Sequence, residues 1–176
     1  MEIEKILIVL NISGVIKMIR KILDRKEINL LLSIVETYSD SIEDLSQSKK
    51  RLQSELDELE NNRDIYVKIK DDLPVAMIQI IYNNADNDPD LANGKEVAHI
   101  HDLEVHSNLQ GKGIGKEMMT FIEGEVSQKK IRRLTLGVDS PNKRAVNLYK
   151  KLGYTVFKEK EGRLPEEKLL LMRKDL

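Results

Sequence analysis

Residues 105–126 read VHSNLQGKGIGKEMMTFIEGEV, and how they are read decides the fold. Gly111, Gly113 and Gly115 stand at alternate positions, with Lys112 and Lys116 on either side of the last pair. Glycine is costly to order, so a backbone this bare calls for a reason. An amphipathic pattern follows at once, with Ile114, Met118, Met119, Ile122 and Val126 on one side of a helix. Ahead of the glycines, VAHIHDLEV at 97–105 reads as a strand. The element is therefore strand, glycine-rich turn, helix. A helix N-terminus offers unpaired N–H groups and about half a positive charge. Glycines remove the Cβ atoms that would hold an anion away from those donors, which makes a phosphate cradle. Two familiar phosphate patterns fail here. G-x-x-x-x-G-K-[ST] fails because Gln110 precedes Gly115-Lys116 by five residues and Glu117 follows. G-x-G-x-x-G fails because its sixth position falls on Lys116 or Met118.

Outward from this element the chain alternates in period. MIRKILD at 18–24 reads as a strand. Ile28, Leu31, Leu32 and Val35 recur at helical spacing, and Leu45, Leu52, Leu56 and Leu59 mark a second, highly charged helix. Period two returns at Ile65, Val67 and Ile69, and DDLP at 71–74 turns the chain into a second strand over 75–82, a hairpin. The loop at 83–96 is polar. RLTLGV at 133–138 reads as a strand, and Ser140-Pro141 as a helix start, Ser at the N-cap and Pro at N1. Ala145, Val146, Leu148, Tyr149 and Leu152 form that helix's buried stripe, and Gly153 takes the left-handed position after it. YTVFKEK and KLLLMRK are the last strands. From Met18 the order is β-α-α-β-β-β-α-β-α-β-β. That order predicts a mixed α/β domain on a largely antiparallel sheet of about seven strands, flanked by about four helices.

Composition bounds the rest. The chain has 176 residues, 40% apolar and 34% charged, with net charge −1, so no global field steers it to nucleic acid or an acidic membrane. It has no cysteine, which excludes disulfides, thiolate catalysis and Cys-based zinc sites, and it is expected to be cytoplasmic. ILIVLNISGVI at 6–16 is too short to span a bilayer, and MEIEK before it lacks the positive start of a signal peptide. Residues 1–17 therefore read as an extension, an extra strand or an upstream start, ahead of one domain over 18–176.

Gln110-x-x-Gly113-x-Gly115 resembles the Q/R-x-x-G-x-G/A signature of the GNAT superfamily of N-acetyltransferases. A second, distant stretch, Asn142-x-x-Ala145-x-x-Leu148-Tyr149-x-x-Leu152-Gly153-Tyr154, looks like the family's other motif helix and its following strand. The resemblance implies a GNAT-like fold and acetyl-CoA as the donor, with no metal. The loop would hold the CoA pyrophosphate on backbone N–H groups of Gln110, Gly111, Lys112, Gly113, Ile114, Gly115 and Lys116. Leu103 and Val105, on the strand before the loop, would lie along the acetyl group. A main-chain N–H near Val105 would meet the thioester carbonyl, an oxyanion-type role. Asn142 matches a cofactor-contacting position, although an early helix residue also caps. Arg144 could approach the 3′-phosphate or the pantetheine arm.

For chemistry, Tyr149 matches the tyrosine that in many members protonates the departing thiolate. An alkylammonium near pKa 10.4 must lose a proton before it attacks, so a base is needed. The family commonly places a carboxylate on the strand before the loop; here His99 falls nearest where some relatives carry a Glu, and His99 or His101 is the expected base, with Glu104 behind them. Imidazole is well tuned near neutral pH, and strand alternation puts His99 and His101 on the face of Leu103 and Val105 unless a bulge intervenes. The expected reaction is direct attack of a primary amine, from a small molecule or peptide, on acetyl-CoA in a ternary complex. A non-catalytic acyl-CoA-binding module of the same fold is the alternative. Acidic residues such as Glu36, Asp40 and Glu166 would suit a cationic acceptor, and family members often form homodimers. No nucleic-acid or membrane partner is expected.

Overall fold

A computed structural model describes residues 8–9, 17–59, 61–162 and 164–176. Most of the expected 1–17 extension lies outside them; Ile8–Val9 forms a two-residue strand, β1, paired antiparallel with β2 (Lys17–Lys21). The order then runs α1 (Ile28–Val35), α2 (Ile42–Leu56), β3 (Arg63–Lys70), β4 (Leu73–Ile81), β5 (Val97–Val105), α3 (Ile114–Gln128), β6 (Arg133–Asp139), α4 (Lys143–Lys151), β7 (Thr155–Glu161) and β8 (Lys168–Asp175). The strands follow the order β1-β2-β3-β4-β5-β6-β8-β7 in one sheet. That is the expected mixed α/β architecture, with eight strands once β1 is counted. No helix among the described residues is long and apolar enough to cross a membrane.

The chain divides into two compact units, and β4, β5 and α3 each contribute to both. The first unit holds the described residues up to 79 together with 102–118. Its period-two strand β3 turns Ile65 and Val67 toward Leu31, Leu32, Ile34 and Val35 of α1 and Leu52 and Leu56 of α2, all buried in one apolar cluster with Ile22 and Met77. The opposite face of β3 carries Lys68, whose buried ammonium lies 2.6 Å from Glu117 in the first turn of α3. A buried lysine needs such a partner, because an isolated ammonium is strongly disfavoured away from water. Ser41 caps α2 by accepting from the Asp44 N–H.

The second unit holds residues 80–101 and 119–176. Its parallel ladder between β5 and β6 runs from Val97 opposite Arg133 to Ile100 opposite Leu136. Strand β6 continues to Asp139 along antiparallel β8. A buried cluster of Ile81, Ala85, Leu91, Ala92 and Leu171 lies under the polar loop. One expected start signal is displaced. Asn142, not Ser140, is the N-cap of α4, its side chain accepting from the Ala145 N–H. Ser140 Oγ instead accepts from the Lys168 N–H at 3.1 Å, so its hydroxyl ties the end of β6 to β8. Gly153 follows α4 at φ +92°, as its position predicts.

Candidate active site

The glycine turn lies in the first unit. Strand β5 ends at Val105, and the His106 N–H donates to the Val75 carbonyl at 2.9 Å. A single 3-10 turn, Ser107–Leu109, leads into the glycines. Gly111 and Gly113 have φ of +78° and +85°, a region closed to most side chains by Cβ crowding against the backbone. A Cβ placed on Gly113 would meet nothing within 4 Å. The protein itself therefore does not crowd this position; glycine is needed for the backbone conformation, and the space beside it is open. The first α3 hydrogen bond runs from the Glu117 N–H to the Gly113 carbonyl at 3.0 Å. Ile114 anchors the turn by burying its side chain, while Gly111, Lys112, Gly113 and Lys116 are exposed and Gly115 is half-buried.

Residues that no motif marked hold this turn. Tyr38, just past α1, accepts from Gln110 Nε2 at 2.8 Å, and Thr37 Oγ1 accepts from the Ser107 N–H at 3.3 Å. Thr37 donates its own proton to the Ile34 carbonyl at 2.7 Å. The signature glutamine thus acts through its side chain on the C-terminal turn of α1.

Asp102 has φ +40°, a left-handed residue within the strand. It lies between His101 and Leu103 in the stretch where regular alternation is expected. Beyond it, Leu103, Glu104 and Val105 are half-buried.

Glu104 falls in a cluster of charges in the first unit. Arg51 of α2 reaches three carboxylates. Its Nη1 is 2.7 Å from Asp102 Oδ2, its Nη2 3.5 Å from Glu104 Oε1, and its Nε 4.0 Å from Glu55 Oε1. Glu55 is itself buried and accepts from Gln79 Nε2 at 2.8 Å, while Arg63 donates to the Gln79 carbonyl oxygen at 2.6 Å. Burial and the Asp102 charge push the Glu104 carboxyl up to about 7, against the opposing pull of Arg51. Its Oε2 is buried without a hydrogen-bond partner among the described residues. Burial lowers the Arg51 guanidinium, but Asp102, Glu55 and Glu104 outweigh it and raise it.

In the second unit His99 is 4% exposed, with Nδ1 2.8 Å from Thr135 Oγ1. Thr135 gives its own proton to the Leu91 carbonyl at 2.7 Å, so it can only accept from His99, which fixes the Nδ1–H tautomer. His99 thus ties β5 to β6 and to the loop at Leu91, a structural use of the ring. His101 is half-buried. Tyr149, on the apolar stripe of α4, is 8% exposed, and burial pushes its phenol up to about 12. Its ring meets that of Tyr154 edge-on at 6.1 Å. Tyr154 is raised further by burial and by the Glu123 carboxylate, whose Oε2 accepts from Lys174 at 2.7 Å. Asn142 and Arg144 are exposed at the start of α4.

The described geometry thus groups Glu104 with Asp102, Arg51 and Glu55, and Gln110 with Tyr38. The sequence pattern does not mark Arg51, Thr37 or Tyr38, because their contacts lie 51–72 residues away along the chain.

Residues 30–154 match the family described as Acetyltransferase (GNAT) family. Among curated proteins none matches the chain. Among solved structures, a Desulfovibrio desulfuricans protein described as a GNAT-family acetyltransferase aligns with a TM-score of 0.71 at 14% identity, covering 89% of this chain and 97% of that one. The ribosomal-protein-S18-alanine N-acetyltransferase of Escherichia coli aligns with a TM-score of 0.70 at 16% identity over 90% of this chain and 94% of that one. The PaiA N-acetyltransferase of Thermoplasma acidophilum, solved with coenzyme A, aligns with a TM-score of 0.66 at 17% identity over 90% and 99%. These likenesses share the fold, and the family match covers most of the sequence: the chain belongs to the GNAT family of acetyltransferases.

Proposed function

We propose that the protein transfers the acetyl group of acetyl-CoA to a primary amine by direct attack in a ternary complex. The observation that carries the reading is the turn at 111–113. Two left-handed glycines with open space beside Gly113 lead straight into the N-terminus of α3. That arrangement suits a pyrophosphate held on the N–H groups of Gln110 through Lys116, with Lys112 and Lys116 as exposed cations. The PaiA relative, which has the same fold, is solved with coenzyme A. When bound, acetyl-CoA supplies the activated thioester.

Glu104 is the base in this reading. A carboxyl held near 7 is half ionised at neutral pH and basic enough to take a proton from an ammonium, directly or through water. Its buried, unpartnered Oε2 supplies the lone pair. Leu103 and Val105 lie along the acetyl group, and a main-chain N–H near Val105 meets the carbonyl as charge develops on it. Asn142 and Arg144 are assigned to the cofactor by the family motif. Tyr149 has a narrower role than the motif implies. Proton transfer from a phenol at about 12 to the thiolate of a thiol near 8.5 is uphill by about 5 kcal/mol. Tyr149 therefore serves as a neutral O–H donor to the departing sulfur.

The acceptor class follows from charge. Glu55, Asp102 and Glu104 face Arg51, and Glu55 also faces Arg63, so three carboxylates meet two guanidiniums, a small excess of carboxylate that suits a cationic amine. The Escherichia coli relative is named for acting on a ribosomal-protein alanine. A thiol-release assay with acetyl-CoA against polyamines, aminoglycosides and peptide amines tests the reading. Turnover with at least one amine, reduced about 100-fold or more in Glu104→Gln, is expected. Tight CoA binding with no release on any amine would overturn it.

A further inference from the structure

Arg51 is the guanidinium that faces both Asp102 and Glu104, and its three nitrogens are divided. Nη1 is 2.7 Å from Asp102 Oδ2 as an ion pair; Nη2 donates to Glu104 Oε1 at the longer distance of 3.5 Å; Nε is 4.0 Å from Glu55. A planar fork prefers a two-point pairing with one carboxylate. Here the fork is split between carboxylates. Asp102, at the left-handed position of β5, φ +40°, takes the nearer nitrogen of the fork as an ion pair. Without that residue the fork would be free to close on Glu104, and a carboxylate so paired is a poor base.

We propose that Asp102 is a positioning residue that draws the Arg51 guanidinium off Glu104, leaving the Glu104 carboxylate available as the base. The inference rests on reading Glu104 as the base. The charged groups facing Glu104 are Asp102 on its own strand and Arg51 and Glu55 on α2. Asp102 and Glu55 favour the proton on Glu104, and Arg51 opposes it. Removing Asp102 and removing Arg51 therefore act with opposite signs. A role in stability alone would not separate them.

The test needs no acceptor. Protein labelled with [13C]glutamate is titrated by NMR, with the Glu104 side-chain carboxyl assigned by its loss in Glu104→Gln. In the wild type its midpoint is expected at about 7. Arg51→Gln is expected to move it up by about one pH unit or more, and Asp102→Asn to move it down by about as much. Asn is chosen because it tolerates the left-handed region. In the Arg51→Gln background the Asp102→Asn shift should shrink, since the fork it would release is gone. Both variants moving the midpoint the same way, or neither moving it, overturns the inference and leaves Glu104 as base standing. A midpoint in Arg51→Gln that stays or falls overturns it even if Asp102→Asn does not fold. A wild-type midpoint at an ordinary carboxylate value overturns the base assignment and the inference together.

Discussion

Glu104, the proposed base, also bears on stability. An ordinary glutamate titrates near 4.5, and in the folded chain this one is pushed up to about 7. The folded state therefore binds the proton more tightly. Its contribution is fully present below about pH 4.5 and is lost as pH rises through 7. Glu104→Gln, which stays neutral, should raise stability at pH 8 by roughly 1–2 kcal/mol and leave it unchanged at pH 4. Thermal melts at the two pH values check this, and an equal effect at both would contradict it. Tyr149 gives a second residue-scale expectation. Tyr149→Phe should lower kcat by about 10-fold or more, and the wild-type pH–rate profile should show no alkaline loss assignable to this phenol below about pH 11. An alkaline limb that disappears in Tyr149→Phe would restore its role as a proton donor that ionises. His99, an attractive base in sequence, is buried and engages Thr135 through Nδ1, and Thr135 engages Leu91. The pattern H-x-H showed a titratable strand; it could not show that the ring at 99 is buried.

At the scale of elements, the turn and α3 behave as one device. Gly113 and Gly124 have opposite requirements. Gly113 sits at φ +85°, and a Cβ added there would meet nothing within 4 Å. Alanine at 113 is therefore penalised by backbone strain alone, about 1–2 kcal/mol, and should also weaken CoA binding. Gly124 lies inside α3 with open space around it, so Gly124→Ala should stabilise by about 0.5–1 kcal/mol without touching CoA affinity. Denaturation midpoints and calorimetric titration of both variants decide the matter; a neutral Gly113→Ala would mean the turn can relax. The turn also depends on α1, through Tyr38 on Gln110 and Thr37 on the Ser107 N–H. The N-cap of α4 illustrates how local rules compete. Ser140-Pro141 has the right residue types, yet Ser140 is taken by the Lys168 N–H, and Asn142 caps instead.

For the whole molecule, charge is balanced, at net −1, so CoA affinity must come from the turn and its lysines rather than from a global field. A ligand that binds only the folded chain stabilises it by mass action. Acetyl-CoA at 100 times its Kd should add about 2.7 kcal/mol, a rise in Tm of roughly 5–10 °C for a chain of this size. No shift at millimolar acetyl-CoA would remove the basis of the proposed function. The sequence by itself determined the element order, the strand at 97–105 to the residue, and the glycine turn, because periodicity and turn chemistry are local and are written in neighbouring residues. Through the family resemblance it put forward Tyr149 as the acid and His99 or His101 as the base, with Glu104 behind them. The tertiary structure alone decided that the Glu104 carboxyl on β5 is pushed up to about 7. That shift depends on burial, on a left-handed Asp102, and on an arginine brought from α2, about fifty residues away, and none of these leaves a local trace in the chain.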